Sequence, residues 1–350
     1  MTATLRIALD TMGGDHAPDM VIAGAEIARE RCPDVHYLLF GDEARIQPLL
    51  DRHPTLKPIS TVCHTADAVP ADAKPSAALR QGRNSSMRLA IDAVAAGEAA
   101  CAVSAGNTGA LMATAKVVLK TVPGIDRPAI ASILPTLRGE SVMLDLGANL
   151  EVGPENLVQF AIMGTVFARI VLGVPEPSVG LLNVGSEEQK GLEAIRAAAT
   201  LLRESPIAEA KFHGFVEGTD LGSGIVDVIV ADGFAGNIAL KTAEGTVRLY
   251  GEFLRRTFAS SWRSKLGYLL AKPAFDKLRQ RTDPRRYNGA MFLGLQGICV
   301  KSHGGTDALG FANAIAAGAN LAGQRFNEKI KGELARIHAI PPSEAKAVTL

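Results

Sequence analysis

The sequence predicts an α/β fold, a largely parallel β-sheet covered by helices on both faces. Six times a short apolar or β-branched run is followed by a turn rich in Gly, Asn, Asp and Ser, then by a longer helical pattern. Such alternation is the signature of parallel strands joined by helical crossovers. No low-complexity linker divides the 350 residues and no repeat of fixed period appears, so one large domain is expected over 1–335. Within it, the rhythm stops at about 248–289, and 336–350 reads as a tail.

Leu5 to Asp10 is the first strand, leading through Thr11-Met12-Gly13-Gly14-Asp15 into a helix from about Pro18 to Arg31. Ala100 to Ser104 leads through Ala105-Gly106-Asn107-Thr108-Gly109 into a helix ending near Lys120. Val142 to Leu146 precedes Gly147-Ala148-Asn149 and a helix after Pro154. Val179 to Val184 runs into a loop from Gly185 to Gly191, then a helix from Leu192 to Leu202. Val226 to Val230 precedes the turn Ala231 to Asn237 and a helix through Val247. Ile298 to Lys301 precedes Ser302-His303-Gly304-Gly305-Thr306-Asp307 and a further helix. Crossovers are right-handed, so the turns after parallel strands leave one edge of the sheet, where ligands bind. The six polar turns are therefore expected to meet in one cleft.

Composition narrows the function classes. A formal net charge of +1 provides no overall attraction for nucleic acid. Cys32, Cys63, Cys101 and Cys299 form no Cys-x-x-Cys pair, which argues against a zinc site or disulfide framework and for a reducing compartment. No apolar run reaches the roughly 18 residues of a spanning helix, and no secretory leader pattern opens the chain. A cytoplasmic protein is expected.

Ser104-Ala105-Gly106-Asn107-Thr108-Gly109 is the strongest local signal. Its small residues admit a ligand to backbone N–H groups, and the helix behind offers its positive end to an anion. The same residues also suit a plain strand-to-helix turn capped by Asn107. In Asp232 to Asn237, Asn237 is a candidate cap or carbonyl-oxygen donor, and Lys241 is either a cleft cation or a solvated helix lysine. Lys190 is a phosphate clamp or part of a helix-start charge cluster with Glu187 and Glu188. His303 is the side chain best suited to proton transfer near neutrality. Gly13 and Gly14 permit close backbone approach, while Asp10 or Asp15 orients a donor or caps the helix. Gly-x-Ser-x-Gly and His-Glu-x-x-His are absent, and Cys101 and Cys299 sit in apolar runs as inert packing. Anion binders without a protein nucleophile suit a reaction in which phosphate itself attacks.

In their order these motifs resemble the bacterial phosphate acyltransferase family of phospholipid synthesis. The resembling stretches include Ala8 to Asp15, Ser85-Ser86-Met87-Arg88, Val103 to Ala113 and Leu144 to Asn149. Leu181 to Gly185, Glu187 to Gly191, Phe215 to Gly218, Asp227 to Lys241 and Ser302-His303-Gly304 continue them over nearly the whole chain. The sequence departs from the family at Tyr287 to Phe292 and at Gly305-Thr306. The resemblance implies a three-layer α/β/α fold on a mixed sheet, like the isocitrate/isopropylmalate dehydrogenases and the phosphotransacetylases. It also implies a homodimer, acyl carrier protein as acyl donor, inorganic phosphate as acceptor, and neither nucleotide nor metal.

On that basis phosphate is expected at Ser104, Gly106, Asn107, Thr108 and Gly109 with Lys190 as cation. Asn183, Asn237 or nearby backbone amides would steady the oxyanion, and His303, helped by Asp232, would move protons. Asp10, Gly13, Gly14, Asp15, Asn149 and Lys241 would complete the cleft. In the excursion, Tyr250, Leu254, Phe258, Trp262, Leu266 and Leu270 recur at helical i,i+4 steps among Arg255, Arg256, Arg263 and Lys265. An apolar stripe in a basic surround suits a membrane surface, a docked acidic carrier protein, or a dimer-packing helix pair. The family's product feeds a membrane acyltransferase, which favours peripheral membrane association. A dehydrogenase of similar fold is disfavoured because no Gly-x-Gly-x-x-Gly is present. A short-chain phosphotransacetylase and a membrane-surface scaffold for lipid synthesis are the rival functions.

Overall fold

A computed structural model describes residues 5–204 and 211–338. The first half alternates β1 (Leu5–Asp10), α1 (Asp19–Arg31), β2 (Val35–Gly41), α2 (Glu43–Asp51), β3 (Ser60–His64), α3 (Pro75–Gln81), α4 (Ser86–Ala95), β4 (Cys101–Ser104) and α5 (Thr108–Leu119). Next come β5 (Ala129–Pro135), β6 (Glu140–Leu144), α6 (Pro154–Val171), β7 (Ser178–Leu182), α7 (Glu193–Glu204), β8 (Lys211–Val216) and β9 (Val228–Val230). The chain then forms α8 (Gly233–Ala259), α9 (Trp262–Thr282), β10 (Ala290–Leu293), β11 (Ile298–Lys301), α10 (Ala308–Gly323) and α11 (Phe326–His338). The helix α11 passes the expected domain limit at 335; from 339 the expected tail lies outside the described residues.

The described strands form one eleven-stranded sheet in the order β3-β2-β1-β4-β11-β10-β5-β6-β9-β7-β8. Alternate strand residues feed two cores. On one face Ile7, Leu9, Val103, Val142 and Val228 pack under α1, α6 and α10, with Phe160, Phe167 and Phe311 as the largest plugs. On the other, Ala8, Leu38, Ile130, Met143 and Phe292 meet Met87 and Ile91 of α4 and Leu111 of α5. Helices on both faces of a mixed, mostly parallel sheet are the predicted fold class.

The direction of the strands corrects one expectation. The strands β3, β2, β1, β4 and β11 are mutually parallel, and so are β6, β9, β7 and β8. Between the two sets lie three antiparallel pairings, β11–β10, β10–β5 and β5–β6. An odd number of reversals turns one half over. The turns after β1, β4 and β11 therefore leave one edge of the sheet, and those after β6, β7 and β9 leave the opposite edge. The six turns do not converge on a single edge.

The excursion is also built differently. The sequence pattern ends a helix near Val247, but α8 runs on to Ala259. Ser261 then starts α9, its hydroxyl accepting from the Ser264 N–H at 3.1 Å. The apolar stripe is thus divided: Leu254 and Phe258 are half-buried on α8, whereas Trp262, Leu266 and Leu270 stand exposed on α9. Phe258 closes the hairpin against Tyr268 and Phe275, with centroids 5.6 and 5.0 Å away.

Candidate active site

β1, β4 and β11 end level with one another at Asp10, Ser104 and Lys301. Asp10 is buried and accepts hydrogen bonds from Ser104 Oγ at 2.6 Å and Ser86 Oγ at 2.5 Å. Burial raises its carboxyl above the usual range, while the two hydroxyls, the Met12 N–H and the charge of Lys301 pull the other way. Ser104 Oγ also accepts the Gly106 N–H at 3.0 Å. Only glycine fits at 13, because a Cβ there would lie 2.3 Å from Asp10 Oδ2 and 2.8 Å from Gly106 N. The turns after β1 and β4 are thereby locked together.

Asn107 caps α5, accepting the Ala110 N–H at 2.8 Å, while its Nδ2 donates to Ala71 O at 2.7 Å. Its side chain is committed to the fold. Thr108 and Gly109, in the exposed first turn, have N–H groups that the helix itself cannot use. Beside this turn Lys301, only 9% exposed, donates from Nζ to Ala105 O at 3.3 Å and to Ser302 O. Burial pushes its ammonium down to about 8 and nearby Lys241 adds to the fall, although Asp10 and Asp15 oppose it.

His303 comes next. Its backbone N–H donates to Asn288 Oδ1 at 2.9 Å, and Asn288 Nδ2 donates to Ser302 Oγ at 2.8 Å. The ring Nδ1 accepts the Gly305 N–H at 3.2 Å, so in the neutral ring the proton sits on Nε2. Asp15 N–H donates to Gly304 O at 2.9 Å, tying the opening turn to this one.

A second cluster forms at the other edge. Asp145 is buried and accepts from the backbone N–H groups of Ile130, Ala148 and Asn149 and from Asn149 Nδ2, at 2.7 to 3.0 Å. Desolvation raises its carboxyl, and these donors partly offset the rise. Asp232 caps α8 by accepting the Ala235 N–H at 2.7 Å, and Asn237 Nδ2 donates to Leu146 O at 3.0 Å. Asn183, at the end of β7, spends its amide on Gly185 O and Lys190 O, both 3.1 Å away. Lys190 is exposed, 3.9 Å from Glu187.

From this edge α8 climbs back across the sheet. At about 1.5 Å per residue, Lys241 has risen two turns; its Nζ pairs with Glu244 one turn on, at 2.8 Å, and its charge still works against the ammonium of Lys301. Asn237 and Lys241, four residues apart, share that helix face. The assembled site is thus the sheet edge at the α5 N-terminus, with the charge of Lys241 on α8 felt by Lys301. Among the described residues no cluster of three or more His, Cys, Asp or Glu side chains is arranged to hold a metal ion.

A family model described as fatty acid synthesis protein matches residues 5–329. The phosphate acyltransferase of Rhodospirillum centenum is 73% identical over 97% of this chain and 95% of its own length. That of Rhodospirillum rubrum is 60% identical over 97% of each chain. The chain belongs to the phosphate acyltransferase family. Among solved structures, a phosphotransacetylase from Streptococcus pyogenes superposes with a TM-score of 0.62 at 15% identity, covering 93% of this chain and 95% of that one. The EutD phosphotransacetylase from Staphylococcus aureus gives 0.59 at 17% identity, covering 91% and 94%. These two share the fold.

For this acyltransferase family member, the structure divides the expected site residues. Asp10, Gly13, Gly14, Asp15, Ser104, Gly106, Asn107, Thr108, Gly109 and His303 gather at one edge, while Lys241 on α8 pairs with Glu244 and acts on Lys301 only by its charge. Asn149, Asp232 and Asn183 serve the opposite edge as struts and caps. Two expected partnerships fail. Lys190 does not meet the Ser104 turn, because β7 lies six strands from β4, roughly 29 Å along the sheet, and ends at the other edge. Asp232 does not assist His303, for the same reversal separates them. Ser104 and Asn107 lack free side-chain donors for an anion, which leaves backbone N–H groups and Thr108. Sequence reasoning passes over Lys301, Asp145, Ser86 and Asn288. For Lys301 and Asp145 the available signal is a charged residue at the end of an apolar run, Ile298 to Lys301, or inside one, Val142 to Leu146.

Proposed function

We propose that the protein transfers a long-chain fatty acyl group from acyl carrier protein to inorganic phosphate, releasing acyl phosphate for phospholipid synthesis. The observation that carries this conclusion is full-length identity to proteins named phosphate acyltransferase, in a chain whose strand ends gather anion-binding groups. Phosphate sits at the first turn of α5, and one of its oxygens attacks the thioester carbonyl carbon. A tetrahedral oxyanion forms, for which Asn237, with one Nδ2 hydrogen left after donating to Leu146 O, is the α8 candidate donor beside the backbone N–H groups. The carbon–sulfur bond then breaks, and a proton ends on the departing sulfur. His303 gives its Nε2 proton to the sulfur and takes the phosphate's proton in its place. The thiol, with a pKa of about 8.5, leaves readily, so alignment of the two substrates supplies most of the acceleration. No cysteine competes as nucleophile there: burial pushes Cys101 up to about 12 and raises Cys299 as well.

No helix among the described residues is long and apolar enough to cross a membrane. The α8–α9 hairpin exposes Trp262, Leu269 and Leu270 beside Arg255, Arg256, Arg263 and Lys265, a composition suited to an anionic membrane surface. The proposal includes that peripheral contact, pairing as a homodimer, and work on the cytoplasmic side.

The test is phosphate-dependent thiol release from palmitoyl-acyl carrier protein, with hydroxylamine trapping the acyl phosphate. Release that needs phosphate, with trapped hydroxamate, is expected. No release from carrier-protein or coenzyme A thioesters of any chain length would refute it.

A further inference from the structure

Lys301 is the one lysine or arginine among the described residues whose side chain belongs to the buried interior, at 9% exposure. Taking an ammonium out of water is costly even after relaxation, and its surroundings leave that cost incompletely offset. An ammonium has three donors, and two are spent on the carbonyls of Ala105 and Ser302. Asp10 from β1 and Asp15 from the turn before α1 attract it from a distance, Cys299 lies below it on β11, and Lys241 from α8 repels it. Among the described residues no carboxylate forms an ion pair with it. Lys301 thus lies beside the open N–H groups of Thr108 and Gly109 through its bond to Ala105 O, and Lys241, paired with Glu244 at 2.8 Å, adds a second positive charge from α8.

We propose that Lys301 is the cation that binds and aims inorganic phosphate, with Lys241 closing on the same anion from the opposite half of the sheet. This rests on the phosphate-transfer function proposed above. The Ala105 and Ser302 carbonyls belong to the turns after β4 and β11, so they fix the ammonium against both strand ends and leave one N–H for a phosphate oxygen. The first turn of α5 serves the other oxygens. A phosphate dianion beside Lys301 offsets the repulsion from Lys241, whose ammonium turns from Glu244 to meet the same anion.

The test is binding of inorganic phosphate to the full-length protein by titration calorimetry, paired with separate KM values for phosphate and acyl thioester. Lys301→Met is expected to weaken phosphate binding by about tenfold to a hundredfold, the scale of a lost charge-assisted hydrogen bond, while the thioester KM stays within about twofold. Lys241→Met, at an exposed position, is expected to weaken it by roughly twofold to fivefold. Wild-type affinity in a folded Lys301→Met protein overturns the assignment. If circular dichroism shows that variant unfolded, Lys241→Met decides, and unchanged affinity there overturns the two-lysine receptor. Wild-type protein that takes up no phosphate removes the phosphate-transfer function itself, and is distinguishable from variants that bind as wild type does.

Discussion

Ser104 gives its only hydroxyl hydrogen to Asp10 Oδ2 at 2.6 Å and takes the Gly106 N–H at 3.0 Å. A residue of the right type for holding phosphate is instead a strut between two turns. Ser104→Ala is expected to lower stability by about 1–2 kcal/mol, the worth of buried hydrogen bonds left without a partner, measured by urea unfolding. Its phosphate KM should rise only a few fold through loosening of the turn. A hundredfold rise would restore a direct contact.

Gly236 lies against the backbone of the β6 turn. A Cβ there would stand 1.9 Å from Asp145 O, and neither partner is a flexible side chain that could swing away. Gly236→Ala should destabilise the protein by about 3 kcal/mol, at the upper end for overpacking, seen as a lower urea midpoint at unchanged slope. Gly245→Ala in the same helix, where nothing stands within 4 Å of the added atom, should be neutral or slightly stabilising.

Lys301 makes stability depend on pH in the alkaline range. Its folded value of about 8 lies below the ordinary 10.5, so between them the unfolded chain binds more protons. Stability contributed by this group therefore rises from about pH 8 to 10.5 and is lost as pH falls back through 8. The full rise is about 3 kcal/mol. Urea unfolding across that range should show the slope in the wild type and its loss in Lys301→Met; parallel curves would contradict it.

His303 holds its proton on Nε2 when neutral because Nδ1 accepts from Gly305. His303→Ala should lower kcat by about 10²-fold, within the usual span for general acid–base help, and leave the phosphate KM nearly unchanged. A rise in KM alone would make it a binding group.

The hairpin contact is tested by flotation with vesicles containing anionic lipid. Trp262→Glu combined with Leu266→Glu should move the protein from the floated to the free fraction at equal salt, by at least about tenfold. Flotation unaffected by the pair would assign this surface to carrier protein or to a second copy.

Much of the fold is legible in the sequence because strand, turn and helix follow one another locally. The starts of α1 and α5 and the strand ends at Asp10, Ser104 and Lys301 fall at or beside their expected places. The reversal of the sheet is not legible. It depends on β5 and β10 inserting antiparallel between the halves, and β10 meets Ala129, Ile130 and Ala131 of β5 only through pairing between segments far apart in the chain. With every turn taken to face one way, Lys190 falls to an anion it does not approach. The hydrogen-bond economy is hidden as well: the residue type of Asn107 shows that it can donate, and only Ala71 and Ala110 show where its donors and acceptors are spent. Lys301 escapes notice because a lysine at a strand end ordinarily reaches solvent.

The length of α8 has a mechanical consequence. The helix spans 27 residues, pinned near its root where Gly236 meets Asp145. Ala259 lies ~35 Å beyond that pivot and Lys241 only ~8 Å. Any sideways pull on the hairpin tip therefore arrives at Lys241 scaled down roughly fivefold, so a coarse displacement of several ångströms outside becomes sub-ångström adjustment within. The helix is a vernier: whatever grips its far end sets the gap between two lysines.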